Sequence, residues 1–237
     1  FKKTHLCYKT FYEYCIKLIN NQMNGYLMLY LQDLTIKRGS KIVFYNWSTK
    51  FKNSQITIIN GKNGAGKSTL LRAIAGLIPL EKGIIKNNNN EIFKDQIKWG
   101  ENLIYIDSKN GLSKDLTVYE NLKIWSEMRG WNVSDNDLQK ALSSVDIINY
   151  KKVYISQCSE GLKKRAALSR LYLSFLFDVK FWLLDEPTNE LDKKSIILFN
   201  KLIQRFIENK GTVLLACHSL KLFDFKYELL NLDLLKK

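Results

Sequence analysis

The chain has 237 residues and a formal net charge of +14, with 37 lysines and arginines against 23 aspartates and glutamates. Hydrophobic residues make up 46% of the sequence, which is enough for a sizeable core and excludes a wholly disordered chain. No apolar run approaches the roughly 18 to 20 residues that a bilayer span needs, so we expect no membrane-spanning segment.

The first segment, residues 1–26, is rich in lysine and tyrosine and contains little acid. Targeting segments are likewise basic, although they usually favour arginine. We therefore predict a poorly ordered or targeting-like extension at 1–26, followed by one domain at 27–237.

The next part of the chain has strand-like runs on either side of a helical pattern. The segment 67–76 has helical spacing and is closed by a glycine and a proline. A run of asparagines at 87–90 predicts a polar turn. Apolar and β-branched residues predict strands at 27–36, 41–45, 56–60 and 103–106.

The second half is helical first and alternating later. A helical pattern runs from about 117 to 145, and Ser159 can cap a further helix that ends near 177. Because strands and helices alternate at both ends of the chain, we predict an α/β fold with a largely parallel sheet, interrupted by a helical insertion at about 107–177. The remaining predicted elements are a strand at 180–184, a helix at 193–209, a strand at 212–217 and a short β segment near 227–233.

The segment GKNGAGKS at 61–68 fits the pattern G-x-x-x-x-G-K-[ST] and lies between a predicted strand and a predicted helix. Glycines in such a loop let backbone N–H groups turn toward an anion at the positive end of the helix dipole. Lys67 would then reach the β- and γ-phosphates of a nucleotide, and Ser68 would hold Mg²⁺. The alternative is an ordinary glycine-rich turn before a helix, which the strand-loop-helix context disfavours.

An acidic pair follows the apolar strand in KFWLLDE, residues 180–186. Burying an unpaired carboxylate is costly, so Asp185 and Glu186 require a cation nearby. Together with the loop at 61–68, the pattern predicts that Asp185 shares Mg²⁺ with Ser68 and that Glu186 orients or deprotonates the attacking water. Taken alone, the same residues are equally compatible with a strand end capped by solvated acids.

Four motifs in a fixed order carry a resemblance to a known family. GKNGAGKST, CSEGLKKR, WLLDEPTNELD and LLACHS follow one another as in the ATP-binding subunits of ABC transporters, and the match covers about residues 29–232. The resemblance implies that 27–237 is an ABC-type ATP-binding domain, a P-loop NTPase with a RecA-like parallel core, an antiparallel β portion and a helical subdomain. It also implies ATP hydrolysis coupled to transport, with ATP and Mg²⁺ as cofactors.

The same resemblance implies roles for individual residues. Ser159 and Gly161 would contact the γ-phosphate held by the other subunit of a head-to-tail homodimer. Asp192 would lie in the D-loop, and His218 would be the switch histidine near the γ-phosphate, although a lone histidine at a strand end is otherwise usually structural. Catalysis would rest on Lys67, Glu186 and His218. The nucleotide would be bound by Gly61, Lys62, Asn63, Gly64, Ala65, Gly66, Lys67, Ser68, Thr69 and Arg38.

Three stretches narrow the resemblance further. LTVYENLKIW at 116–125, the run CSEGLKKRAALSRL, and WLLDEP with Trp182 are similar to the heme exporter ATPase of cytochrome c maturation. The partners would then be a second ATP-binding domain and the integral membrane permease subunits of a heme exporter. The chain would be peripheral on an inner membrane, at the cytoplasmic face in a bacterium or at the matrix face in a mitochondrion.

The composition bears on the source and on the class of partner. Lysine, asparagine, isoleucine, tyrosine and phenylalanine are the residues that A+T-rich codons specify, so we interpret much of the charge as coding bias of an organelle genome or a reduced endosymbiont. Attraction to anionic lipid headgroups is a secondary interpretation. Because the 31 lysines and 6 arginines are spread along the chain, no nucleic-acid partner is expected. The four cysteines form no CxxC pair, so neither a zinc site nor a disulfide framework is indicated.

Three alternative functions stay open at this point. The chain could be an ABC ATPase for another membrane cargo, or a nucleotide-dependent assembly scaffold with weak hydrolysis. It could also be a nucleic-acid-associated ABC protein. Members of that class usually carry two cassettes or a long coiled coil, whereas this chain has one GKS, one DEP and no sustained heptads.

Several positions depart from the family pattern. Cys158, Glu160 and Leu162 stand where ABC proteins usually have leucine, a glycine or small residue, and glutamine. A carboxylate at Glu160 should oppose dimer closure unless it points away from the triphosphate. Lys109 replaces the glutamine that normally links Mg²⁺ and the attacking water to the membrane partner, which puts that coupling in question. Arg38 stands about where an aromatic residue usually stacks on adenine, and it could stack by a cation–π contact.

Overall fold

The computed structural model describes residues 28–235, and the extension predicted at 1–26 lies outside the described residues. The strands are β1 (Met28–Arg38), β2 (Lys41–Lys52), β3 (Ile56–Asn60), β4 (Lys82–Asn87), β5 (Asn90–Glu91), β6 (Leu103–Ile106), β7 (Phe181–Asp185), β8 (Thr212–Ala216) and β9 (Glu228–Asn231). The α-helices are α1 (Lys67–Ile74), α2 (Gln96–Glu101), α3 (Val118–Met128), α4 (Asp135–Ser144), α5 (Glu160–Leu168), α6 (Arg170–Leu173) and α7 (Lys193–Glu208). Short 3-10 turns lie at Ile92–Lys94, Ile148–Tyr150, Ile155–Gln157, Leu220–Leu222 and Leu232–Leu235.

The described strands form two sheets. A five-stranded sheet in the order β6-β7-β8-β3-β9 is parallel at every pairing, which confirms the predicted parallel core. A four-stranded antiparallel sheet has the order β2-β1-β4-β5. Strands that are covered on both faces have nearly continuous apolar sequences. Every residue of β7 and of β8 is accordingly buried.

Alternate side chains of β7 belong to two different cores. Phe181 and Leu183 pack with α1 and the inner face of the antiparallel sheet. Trp182 and Leu184 pack with the helical insertion and α7 on the other face, where Trp182 stacks on Phe206 with ring centroids 3.9 Å apart. The parallel sheet therefore separates the two cores, and its carboxyl edge is where the loops that carry chemistry emerge.

The sequence patterns did not predict strands β4 and β5 of the antiparallel sheet or helix α2. β4 can lie against β1 because Gly83 has no side chain: a methyl group there would be 2.4 Å from the Gln32 carbonyl oxygen. The predicted asparagine turn joins β4 to β5, with Asn88 at a left-handed φ of 56°. The strand predicted at 41–45 continues to Lys52, because it pairs with β1 along its length. These segments lack strong apolar periodicity, so tertiary pairing decides their structure.

The predicted helical insertion at about 107–177 contains α3 to α6. The Ser159 hydroxyl caps α5, as predicted, by accepting the Leu162 N–H at 3.2 Å. The single helix expected from there to about 177 is wrong, because it breaks into α5 and α6 and ends before 177. The hydroxyls of Ser169 and Ser174 donate at 2.7 Å to backbone carbonyls of the preceding turn, and such bonds compete with a continuous helix.

Within residues 28–235 no helix is both long and apolar enough to cross a bilayer. The longest of the described helices is α7, with 16 residues. Its buried side chains, which include Phe199, Ile203 and Phe206, lie at helical spacing and pack into the core around Trp182. This packing supports the carboxyl edge of β7 and β8 from one face of the sheet.

Candidate active site

The glycine-rich loop lies between β3 and α1, at the carboxyl edge of the parallel sheet. Gly66 has φ 110°, a region that side chains avoid, and a methyl group there would be 2.7 Å from a side-chain carbon of Val43. The helix begins directly after it at Lys67. Because the first N–H groups of a helix have no partner within the helix, this end of α1 can bind an anion.

The Lys67 side chain contacts residues that follow the ends of three strands. Its ammonium donates to the Gly61 carbonyl at 2.8 Å and lies 3.0 Å from Nε2 of His218. It also lies 3.7 Å from Oε1 of Glu186, and its side chain is only 7% exposed. The fold therefore joins the loop after β3, the end of β7 and the end of β8 around one buried cation.

Asp185, the last residue of β7, is 1% exposed. Neither carboxylate oxygen has a hydrogen-bond partner of acceptable geometry in the described part of the chain. Burial raises the pKa of Asp185 above its usual range, while the nearby Ser68 hydroxyl, Arg72 and Lys67 oppose the rise. A buried carboxylate without good hydrogen bonds can act as a ligand for a cation. The nearby Ser68 hydroxyl could supply a second oxygen ligand.

Glu186 follows in a strained backbone conformation, with φ 49°. Its N–H donates to the Ala216 carbonyl at 2.9 Å, which extends the β7–β8 pairing by one residue. Its Oε1 lies 3.1 Å from Nε2 of His218, and the side chain is 12% exposed. Burial raises the pKa of Glu186, and the charges of His218 and Lys67 counteract this effect. Left-handed backbone at a non-glycine residue is costly and is found at functional positions.

A cavity of about 990 Å³ opens above these residues. Sequence reasoning missed part of its wall. Lys41 to Val43 reach it only because β2 folds over the loop, and Asn189 lies within the motif WLLDEPTNELD without having been assigned a role. The predicted residues in the lining are Arg38, Asn63, Gly64, Ala65, Gly66, Lys67, Ser68, Thr69, Glu186 and His218, and the further ones are Lys41, Ile42, Val43, Ser108 and Asn189.

The other predicted site residues do not line this cavity. The backbone N–H of Lys62 donates to both carboxylate oxygens of Asp233 at 3.1 Å, a contact that no sequence signal indicated. Asp192 caps α7 by accepting the Ser195 N–H at 2.8 Å. Ser159 caps α5, as described above. Gly61 supplies its carbonyl to Lys67 from the far side of the loop, and Gly161 lies against the turn that follows β7.

Two of the departures from the family pattern point away from the cavity. Glu160 pairs with Lys163 at 2.7 Å, and its side chain is 65% exposed. This pairing and the Lys163 charge lower the pKa of Glu160. The side chain of Lys109 is exposed, and its backbone N–H donates to Oδ1 of Asp107 at 2.9 Å. The position where the family carries glutamine therefore contributes no side chain to the cavity wall.

Comparison with known proteins identifies relatives along most of the chain. The family model described as ABC transporter matches residues 44–189, more than half of the sequence. The cytochrome c biogenesis ATP-binding export protein CcmA of Vibrio parahaemolyticus is 33% identical over 191 residues, which cover 81% of this chain and 92% of that protein. The CcmA protein of Histophilus somni is 34% identical over 190 residues, which cover 80% and 86%. The predicted resemblance to the ATPase of cytochrome c maturation is thereby confirmed.

Solved structures share the fold. An ABC transporter ATP-binding protein of Pyrococcus furiosus superposes with a TM-score of 0.72 at 24% identity, covering 87% of this chain and 98% of the other. A dimeric bacterial ABC transporter cassette gives a TM-score of 0.74 at 22% identity, covering 86% and 94%. The predicted P-loop NTPase fold with parallel and antiparallel sheets is confirmed. The chain belongs to the ABC transporter family and is an ABC-type ATPase.

Proposed function

We propose that this chain is the ATP-binding and hydrolysing subunit of a heme exporter that acts in cytochrome c biogenesis. The names of the CcmA relatives and their coverage of this chain support the assignment to cytochrome c biogenesis. The similarity of 116–125 and WLLDEP to the heme exporter ATPase supports heme as the cargo. The observation that carries the ATPase site is the convergence of Lys67, Glu186 and His218 on one cavity.

The phosphate groups would be bound by the glycine-rich loop and Lys67. The loop N–H groups and the N-terminus of α1 attract the phosphate oxygens. The Lys67 ammonium, now shared between the Gly61 carbonyl and Glu186, would turn to the β- and γ-phosphates. The adenine base of the nucleotide would lie toward Arg38 and the start of β2, which line the same cavity as the glycine-rich loop.

Ser68 and Asp185 fit a magnesium site. Asp185 has two buried oxygens without a hydrogen bond of acceptable geometry among residues 28–235, and the Ser68 hydroxyl lies near them. Oxygen donors of this kind are the ligands that Mg²⁺ prefers. When bound with nucleotide, the ion neutralises charge on the β- and γ-phosphates. Asp185 and Ser68 would hold the ion, whose charge would also compensate that of the buried carboxylate.

Glu186 would position the attacking water and accept its proton. A carboxylate whose pKa is raised by burial is closer to the range in which general bases act. His218, 3.1 Å from Glu186 and 3.0 Å from Lys67, would hold the carboxylate in place and contact the γ-phosphate. Lys67 would stabilise the negative charge that develops on the γ-phosphate during in-line attack, while Glu186 holds the water.

Ser159, Gly161 and Asp192 would serve the partner subunit. They lie outside the cavity of their own chain, and a head-to-tail homodimer would bring them to the nucleotide of the other copy. A related cassette of the same fold has been solved as a dimer, which supports this arrangement. The outward pairing of Glu160 with Lys163 removes the predicted obstacle to closure in this chain's own structure.

The chain would act at a membrane through its partners, the permease subunits of the exporter. The CcmA relatives described above are bacterial, which favours the cytoplasmic face of a bacterial inner membrane. They lend no support to the mitochondrial alternative. No nucleic-acid partner is proposed.

A complementation experiment tests the function. The chain would be expressed with the membrane subunits encoded beside its gene in a bacterium that lacks its own cytochrome c maturation ATPase. We expect heme staining of c-type cytochromes to return with the unchanged chain and not with Glu186→Gln. A chain that hydrolyses ATP in vitro with these subunits but restores no cytochrome would point to another cargo.

A second candidate is a nucleotide-dependent assembly scaffold with weak hydrolysis. The exposed side chain of Lys109, which leaves the coupling position without a group in the cavity, favours it. Comparison of ATP hydrolysis by the unchanged chain and by Glu186→Gln decides between the two. Equal rates would establish the scaffold, because hydrolysis would then not depend on the proposed base.

A further inference from the structure

Lys164 is a buried cation that the mechanism above does not use. It belongs to α5, yet its side chain is only 2% exposed. The preceding residue, Lys163, lies on the outer side and pairs with Glu160. Among residues 28–235, no carboxylate lies within 4.0 Å of the Lys164 ammonium, and its hydrogen bond is to the Ser108 carbonyl at 3.3 Å. Burying a lysine without a direct ion pair costs free energy, so the burial of the Lys164 ammonium requires an explanation.

The charges around Lys164 belong to the active site. Burial lowers the pKa of its ammonium, and four carboxylates oppose this effect by favouring the charged form. They come from the ends of β6 and β7 and from the turn after β7. Lys164 thus faces from α5 the same acidic edge that Lys67 faces from the glycine-rich loop. The four are Asp185, Asp107, Glu186 and Glu190.

Ser108, the acceptor, borders the nucleotide cavity. It follows Asp107, whose Oδ2 accepts from Arg72 of α1 at 2.6 Å and from the Tyr105 hydroxyl at 3.1 Å. The turn after β6 is therefore tied to α1 by Asp107 and to α5 by the Ser108 carbonyl. The side chain of Lys109, the next residue of this turn, is exposed to solvent and does not line the cavity.

The helix α5 also contacts the turn on the other side of the site. A methyl group at Gly161 would be 2.6 Å from the Glu190 carbonyl oxygen, so the helix and this turn pack backbone to backbone. Glu190 follows Asn189, which lines the cavity. The helix therefore touches both turns that border the reacting phosphate in the proposed function, one through Gly161 and the other through Lys164.

We propose that Lys164 is a positioning residue for ATP hydrolysis, which holds the Ser108 carbonyl and so fixes the turn after β6 between α1 and α5 beside Asp185 and Glu186. The inference rests on the proposed site of hydrolysis. The contrasting role, a core lysine that contributes only to stability, predicts no selective effect on the chemical step.

Three variants of the full chain test the proposal. Lys164→Met keeps the length of the side chain and removes the donor, and Lys164→Gln keeps a neutral donor. The control is Lys201→Met, at an exposed lysine of α7 that lies outside the cavity lining. Hydrolysis would be followed in single turnover with the protein in excess over ATP·Mg²⁺, and affinity with a fluorescent ATP analogue. We expect the rate to fall about tenfold in Lys164→Met and about threefold in Lys164→Gln, with affinity within about twofold. Lys201→Met should match the unchanged chain.

Several results would overturn the proposal. One is a rate in Lys164→Met within about twofold of the unchanged chain, while Glu186→Gln is inactive; the site of hydrolysis would then stand and this inference alone would fail. Another is a parallel loss of rate and ATP affinity, which is the mark of a general structural role. Equal losses in the Met and Gln variants would exclude the hydrogen bond as the cause. If Lys164→Met does not fold, unchanged hydrolysis in Lys164→Gln overturns the proposal, and the threefold loss at constant affinity supports it.

Discussion

At the scale of single residues, Asp185 shows how the site conflicts with the stability of the nucleotide-free fold. Its carboxylate is 1% exposed, and no residue in the described part of the chain gives its oxygens a hydrogen bond of acceptable geometry, although the Ser68 hydroxyl lies nearby. Because burial raises its pKa in the folded state, the neutral form is favoured there. The stability that this group provides is present below its unfolded pKa and is lost as the pH rises through its folded pKa.

Asp185→Asn should therefore stabilise the protein in the absence of nucleotide and metal. We expect a gain of about 1 to 3 kcal/mol in the free energy of unfolding at pH 7, measured by urea denaturation in EDTA. The gain should shrink as the pH falls through the raised folded-state pKa of Asp185, since the native carboxylate then becomes protonated. The same variant should lose the extra stability that ATP·Mg²⁺ gives the unchanged chain. A variant less stable than the unchanged chain at pH 7 would contradict this account.

Arg38 is the residue that we expect to contact the base. It lines the cavity together with Ile42 and Val43 from the start of β2, and the described residues of the lining include no aromatic side chain. Arg38→Ala should weaken ATP binding several-fold, because a cation–π contact contributes about 0.5 to 2 kcal/mol. Calorimetry with ATP and with inorganic tripolyphosphate measures this. The second ligand has no base, so its affinity should not change; equal affinity of the variant for ATP would rule the contact out.

At the scale of elements, comparison of two helix caps distinguishes a loss of stability from a loss of activity. Ser159 caps α5 and Ser134 caps α4 in the same way, each accepting a backbone N–H at 3.2 Å. Replacement of either serine by alanine should cost about 1 kcal/mol of folding stability. Ser159 has the additional proposed role at the partner's nucleotide, whereas Ser134 lies outside the cavity lining.

We therefore expect Ser159→Ala and Ser134→Ala to lower the midpoint of urea unfolding alike, and only Ser159→Ala to lower ATP hydrolysis. The reduction should be larger than the shared loss of stability can explain, and it should appear at saturating ATP. An equal loss of activity in both variants would mean that Ser159 acts through the fold alone.

At the scale of the whole molecule, one copy of the chain supplies only one side of the proposed nucleotide site at the interface between two copies. Ser159 and Asp192 lie outside it, so the proposed mechanism needs a second copy. Glu186→Gln with ATP·Mg²⁺ should therefore form a stable dimer, since the nucleotide is bound but not hydrolysed. Light scattering after gel filtration measures the mass. The unchanged chain with ADP is the control and should remain a monomer; a monomeric Glu186→Gln at saturating ATP would contradict the dimer.

The sequence was most informative where local chemistry and tertiary structure agree. The loop at 61–68, the strand before Asp185 and the parallel core follow from glycine spacing, apolar runs and their alternation, and the fold contains all of them. It was least informative about β4, β5 and the cavity wall from β2. Those depend on pairing between distant segments, such as Thr35 with Lys82, which leaves no periodic signal in either strand.

Distance along the chain also concealed the polar contacts around the site. Lys164 and Ser108 are 56 positions apart, and neither stands in a motif that assigns it a partner. Lys109 drew attention as a departure from the family, but its side chain is exposed, and the buried cation on this side is Lys164. Motif reasoning identifies residues that bind the ligand, whereas the residues that hold them in place appear only when the fold is known.

The contact between Lys62 and Asp233 links the loop that we propose to bind phosphate to the final described turn. Leu234 beside it is 74% exposed. We therefore expect a fluorescent label attached at Leu234, which lies outside the cavity lining, to change its emission when nucleotide binds.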